Sequence, residues 1–249
     1  MDRLIYTSLT AMRGAMARQT AVANNLANAQ TPGFRADIAE AQSLWIRSGG
    51  AALDSRAMAS EEVLAADMKA GTVVQTGRDL DIAIGGDSLL AVQAADGDEA
   101  YTRRGDLQLS DGGLLLTGDG KPVQGGQGPI TIPPADSIRI DPEGRIFIVP
   151  AGGDPNQPQE VDRLKLVAPA GSEIAKGLDG LFRVKGGGTL PDDPDARVVS
   201  RSLEGSNVAA TEALVEMIEA SRSWDAQLKL IGDARDNDAA TANLMQLSQ

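Results

Sequence analysis

The apolar positions change period twice along the chain. From Ile5 the larger ones fall at Leu9, Met12 and Met16, and the series resumes at Ala23 and Leu26. Steps of four and three, with Gln19 in one seam position, are the a/d pattern of a heptad helix. Ala11, Ala15, Ala17, Ala21 and Ala27 raise helix propensity between them. Pro32 disfavours helix at Thr31 and Gly33 frees the backbone, so the helix stops there. The other end repeats the period from Leu214 through Met217, Ser221, Trp224, Leu228, Ile231, Arg235, Asp238, Ala242 and Met245, seven of the ten being apolar. Ser206 or Asn207 can cap this helix, with Glu212 and Glu216 near the positive end of its dipole. A helix from Ser206 to Gln249 would span roughly 60 Å.

Between the ends the period shortens to two. Residues 81–84, 106–109 and 145–149 read as short strands, and Asp96-Gly97, Asp111-Gly112, Asp119-Gly120 and Glu143-Gly144 as hairpin turns. Pro150–Pro158 and Gly186–Pro194 are rich in Gly, Pro and Asp and read as exposed loops. The expected fold class is α+β: long N- and C-terminal helices form a coiled-coil layer, with a central all-β body. The expected divisions are an N-terminal helix at 1–35, a connector at 36–70 that fits helix or extended chain, a β-rich body at 71–202 and a C-terminal coiled-coil helix at 203–249.

Charge follows the same partition. Of the net −12, residues 1–36 carry four bases and one acid (+3) and 203–249 three bases and eight acids (−5), which leaves −10 for the body. The terminal helices are therefore electrically complementary. Narrow seams leave each helix marginal by itself. They gain order by association, either with neighbouring subunits or as an antiparallel hairpin within one chain. The acidic balance and seven aromatic residues argue against a nucleic-acid partner. The opening residues lack a signal-peptide pattern and no run approaches a spanning helix, so a protein without a cleaved signal and without membrane insertion is expected.

Composition also removes chemistries. The chain has no His and no Cys among 249 residues, which excludes imidazole acid/base schemes, thiolate nucleophiles and the usual zinc ligand sets. Asp79 and Asp81 stand at i and i+2, and a carboxylate pair in a cleft could hydrolyse a glycosidic bond. Asp96-Gly-Asp98-Glu99 lacks the calcium-loop spacing. The glycines at 118, 120, 125, 126 and 128 match no phosphate-binding fingerprint. No catalytic residue, metal ligand or cofactor is assigned.

The most specific segment is Val22-Ala-Asn24-Asn25-Leu26-Ala-Asn28-Ala-Gln-Thr31-Pro32-Gly33-Phe34-Arg35. Three Asn within five positions of a good helix are costly unless their side chains bond to neighbouring backbone. This segment resembles the N-terminal signature of the bacterial flagellar rod and hook axial proteins. Leu203-Glu204-Gly205-Ser206-Asn207-Val208 is similar to the C-terminal signature of the same family, and 71–84, 101–105 and 111–123 to its central strands. The opening Met1–Thr7, Arg163–Val167 and Gly180–Arg183 resemble its proximal-rod members. One departure is Gly86-Asp-Ser-Leu89-Leu90, aliphatic where the family commonly has aromatic residues.

The resemblance implies a structural subunit of the proximal rod, exported through the flagellar export apparatus. It would polymerise with itself and other rod proteins as a helical tube in the periplasm that transmits torque. Assembly would rest on Ile5, Leu9, Met12, Met16, Asn24, Asn25, Leu26, Asn28, Thr31, Gly33 and Phe34 at one end. At the other it would rest on Leu203, Ser206, Asn207, Val208, Leu214, Met217, Trp224, Leu228 and Ile231. The alternatives are a distal-rod or hook paralogue, an exported acidic cell-wall hydrolase using Asp79 and Asp81, and a secreted β-domain binding module.

Overall fold

The computed structural model describes residues 2–45 and 57–246. Two compact units share the chain by interleaving. The first takes Met1–Ala27, Asp37–Ala65 and Ala209–Gln249, the second Asn28–Ala36 and Ala66–Val208.

The first unit holds α1 (Asp2–Ala27), β1 (Asp37–Trp45), β2 (Ala57–Ala66) and α2 (Ala210–Gln246). β1 pairs with β2, and α1 packs on both α2 and β1. The segment expected to be helix or connector is thus partly strand. α2 begins three residues beyond Asn207, with the Ala209 carbonyl accepting the Ala213 amide at 3.0 Å. Neither Ser206 nor Asn207 caps it.

The α+β class stands, but the coiled-coil layer is corrected. Had the heptad seam been buried, its large residues would face inward. Instead Met16, Leu214 and Leu228 are 60%, 48% and 46% exposed, and Val215 and Ile218 are also exposed. The side chains turned inward are small: Ala15, Ala21 and Val22 on α1, Ala213 and Ala220 on α2. Met217, Trp224 and Ile231 are half-buried. Alanines permit close approach, so this face of each helix is covered and the leucine stripe of α2 is left outside. No helix among the described residues is long and apolar enough to cross a membrane.

The second unit is a β-body. Its largest sheet orders β12 (Leu166–Val167), β5 (Leu89–Gln93), β6 (Glu99–Thr102), β14 (Phe182–Val184) and β13 (Ile174–Lys176). A second sheet orders β11 (Gln159–Arg163), β10 (Arg145–Pro150) and β9 (Ala135–Ile140). Three ribbons complete it. β3 (Val73–Gln75) pairs with β16 (Ser202–Glu204), β4 (Ile82–Ile84) with β15 (Val198–Ser200), and β7 (Leu107–Leu109) with β8 (Leu115–Thr117).

β5 shows why the sequence pattern understated the sheet. Its residues are buried on both faces: Leu90 and Val92 join Ile82, Leu107, Ile130 and Ile146 in the larger core, while Leu89 and Ala91 join Tyr101, Val167, Phe182 and Leu190 in a smaller one. A strand covered on both sides is a continuous apolar run without alternation. Leu190 also anchors the loop read as exposed, donating its amide to the Tyr101 hydroxyl at 2.7 Å. Tyr101 in turn donates to Glu99 at 2.9 Å. Burial pushes the Tyr101 phenol up to about 12, and Glu99 adds to the shift.

Two outcomes follow from this packing. Leu89→Ala and Leu90→Ala should each cost about 2–5 kcal/mol in chemical denaturation, whereas a sheet with one wet face would lose stability from only one of them. A phenol in unfolded chain ionises near ~10, so the contribution of Tyr101 is complete below that pH. It is lost as pH rises toward 12. Alkaline unfolding followed by circular dichroism should lose this component in Tyr101→Phe.

Candidate functional site where the signature segments meet

In the second unit, the residues following α1 in sequence run beside the end of β16. Asn28 starts a turn, its carbonyl accepting the Thr31 amide at 3.1 Å and its side-chain oxygen the Thr31 hydroxyl at 3.1 Å. Gly33 then takes φ +67 and donates its amide to the Glu204 carbonyl at 2.8 Å. A Cβ there would collide with the Arg103 carbonyl, so space and backbone both require glycine. Phe34 lies under the Lys176 ammonium, 3.7 Å from the ring centroid. Lys176 also donates to the Arg35 carbonyl at 2.7 Å.

Asn207 closes the segment from the other side. Its amide donates to the Phe34 carbonyl at 3.2 Å and its side-chain oxygen accepts the Ala36 amide at 2.7 Å. Its side-chain nitrogen donates to the carbonyls of Asp67 and Lys69 at 2.8 and 3.1 Å. One carboxamide thus takes the place of a peptide group between two strands of chain. Ser206 accepts the Val208 amide at 3.2 Å, and Leu203 sits opposite Val74 in the β16–β3 ribbon.

At the centre lie three buried charges. Glu204 Oε1 pairs with Arg35 at 2.8 Å and accepts the Gly71 amide at 2.8 Å. Glu204 Oε2 accepts from Arg103 Nε at 3.0 Å and from its terminal nitrogen at 2.5 Å. The three side chains are 1–2% exposed. The remaining Arg103 donors reach the carbonyls of Gly86, Ser88 and Ile84 at 2.8, 2.6 and 2.8 Å. Arg35 also donates to the Lys69 carbonyl, but its Nε has no partner. Burial lowers the Arg35 guanidinium from its usual range; Glu204 opposes that shift and Arg103 adds to it. Two guanidiniums therefore share one carboxylate.

In the first unit, Asn25 is buried and makes a reciprocal pair with Asp37, accepting its amide at 2.7 Å and donating to its carbonyl at 3.0 Å. Asn24 donates to the Asp37 carboxylate at 2.5 Å. Met12 and Leu26 are half-buried. Ile5 and Leu9 belong to α1, with side chains outside the described residues. The sequence-derived set thus separates. Asn28, Thr31, Gly33, Phe34, Leu203, Ser206, Asn207 and Val208 gather in the β-body, while the helix positions lie in the other unit.

The sequence reading passed over Arg35, Arg103, Lys176 and Glu204 as functional positions. Arg35, Arg103 and Glu204 lie inside segments that resemble the family, which was the signal available for them; Lys176 lies in none. Asp79 and Asp81 form no open carboxylate pair. Asp81 is 1% exposed and accepts from Thr76 at 2.7 Å, whereas Asp79 is bound outside by Arg201 at 2.6 Å. Among the described residues no cluster of carboxylates is placed to hold a metal ion.

Removing the shared acceptor leaves two like charges buried side by side. Glu204→Gln should therefore lower the stability of the β-body by about 3–5 kcal/mol in urea unfolding. A loss below ~1 kcal/mol would mean that the cluster is open to water, as exposed pairs are.

Three segments match described families. Residues 5–35 match "Flagella basal body rod protein", 83–148 "Flagellar hook protein FlgE/F/G D1 domain" and 199–244 "Flagellar basal body rod FlgEFG protein C-terminal". The first and third contain the segments that meet around Glu204. Across 100% of both chains, the protein is 39% identical to the flagellar basal-body rod protein FlgF of Salmonella typhimurium and 40% identical to that of Escherichia coli. It is 32% identical to the rod protein FlgG of Bacillus subtilis, over 93% of this chain and 94% of that one. With its signature segments in place at both ends and its similarity running from end to end, the chain belongs to the flagellar basal-body rod protein family.

Proposed function

We propose that the protein is a structural subunit of the proximal part of the flagellar rod, of the FlgF type, carrying torque through subunit contacts and no chemistry. Its full-length similarity at 39–40% to FlgF proteins, against 32% to a FlgG, supports this over a distal-rod role. The observation that carries the mechanism is the outer face of α2. Leu214, Val215, Ile218 and Leu228, which lie within about 140° of one another around the helix, are 46–56% exposed, and Met16 of α1 is 60% exposed. Single exposed apolar residues need no explanation, but a run along one helix marks a surface made to be covered.

In this reading neighbouring rod subunits, of this chain and of related rod proteins, cover that face. The subunit leaves the cytoplasm through the flagellar export apparatus and completes its apolar burial in the periplasmic rod. Burying these side chains supplies association energy that the isolated chain does not use. The β-body, with its own cores, carries load between contacts.

Leu214→Asp combined with Ile218→Asp tests this. Because both side chains point to solvent, urea unfolding of the purified variant should match the parent within about 0.5 kcal/mol. Cells carrying the variant in place of the parent should be non-motile, and electron microscopy of their basal bodies should show incomplete rods. Complete rods and normal swimming would remove the α2 face from the assembly mechanism.

A further inference from the structure

The buried charge cluster is asymmetric in a way that simple packing does not require. Arg103 spends every donor on residues of the β-body: two on Glu204 and the others on Gly86, Ser88 and Ile84. Glu204 Oε2 is filled by Arg103, and Oε1 already accepts the Gly71 amide. The Arg103–Glu204 pair is therefore neutral and hydrogen-bonded before Arg35 arrives. Arg35 adds a second positive charge, offset in part by Asp67, and shares Oε1 with the Gly71 amide. It donates to the Lys69 carbonyl and, among the described residues, leaves its Nε unmatched while 2% exposed. It is the member whose burial is least compensated.

Single side-chain and backbone bonds also hold residues 28–36 in this unit, including that from Lys176 to the Arg35 carbonyl. Phe34 meets one Lys176 ammonium on a ring face. The backbone is held by isolated bonds, from Gly33 to Glu204, from Asn207 to Phe34, from Ala36 to Asn207 and from Asp67 to Ala36. No residue of 28–36 belongs to either hydrophobic core of the β-body.

We propose that residues 28–36 form a releasable strap, docked in a socket made of Glu204, Arg103, Asn207, Lys176, Gly71 and the Lys69 carbonyl. The socket reads the strap by its chemistry: an arginine for the shared carboxylate, an aromatic ring for the ammonium, and a glycine where only hydrogen fits beside Arg103. The strap lifts out as one piece, and the β-body keeps a neutral ion pair and an unbroken core when it does. This inference rests on the local energetics of the socket and not on what the helices bind.

Amide hydrogen exchange on the full-length chain decides it. In Arg35→Met, the amides of Gly33, Ala36, Asp67 and Asn207 should exchange at least about tenfold faster than in the parent, while those of Leu90, Ala91, Tyr101 and Thr102 stay within about twofold. Lys176→Met should give the same local pattern by a separate route. Arg103→Met should accelerate the body amides as well, because its loss unpairs five carbonyl or carboxylate contacts. If Arg35→Met accelerates the body amides as much as the strap amides, the strap is an integral part of the body fold. If neither Arg35→Met nor Lys176→Met changes the strap amides, the socket does not hold it. Either result overturns the proposal.

Discussion

The buried Glu204–Arg103 ion pair is the constraint on which the β-body depends. Glu204 is fixed by the ribbon of β3 and β16, and its main-chain carbonyl and side chain face the same incoming segment. A buried ion pair seldom adds much over an apolar substitute, but breaking one is costly because a charge is left behind. That asymmetry gives the junction specificity: a chain entering out of register would bury an arginine without its acceptor. Gly33 reinforces the same register by steric means, since no side chain fits beside the Arg103 carbonyl.

The two units store apolar surface in opposite ways. The β-body has finished its burial, with β5 covered on both faces and Tyr101 satisfied at its hydroxyl. The helical unit has not. Its helices meet through alanines and turn leucine, isoleucine and valine outward. One part of the molecule has buried its own apolar surface, and the other leaves large apolar side chains exposed.

Much of this was legible in the sequence, for identifiable reasons. The helical periods at both ends, the strands near 81–84, 106–109 and 145–149, and the Asp-Gly turns follow from local chemistry that neighbours do not override. The helix face was misread because period alone does not say which stripe of a heptad is inside. Leu214, Leu228 and Met16 fit the seam by size, yet Ala213 and Ala220 won by allowing close approach. β5 was missed because double-sided burial erases alternation. Glu204 and Arg103 were missed because a charge between apolar residues reads as surface, and only the fold brings partners together across 101 positions. The Asn residues were recognisable as awkward in a helix. Their actual bonds, Asn25 to Asp37 and Asn207 to Ala36, required coordinates.

The interleaving of the two units also sets an order of events. The helical unit joins the first residues of the chain to the last, Met1–Ala27 with Ala209–Gln249, across the whole of the β-body sequence. A chain made from its N-terminus onward cannot make that contact until nearly all of it has been synthesised. The β-body contains most of its own partners and can close earlier, although its strap and its β16 strand lie at opposite extremes. Long-range closure of this kind is slow compared with local folding. During synthesis the N-terminal helix is therefore a tethered segment until the C-terminal helix follows it.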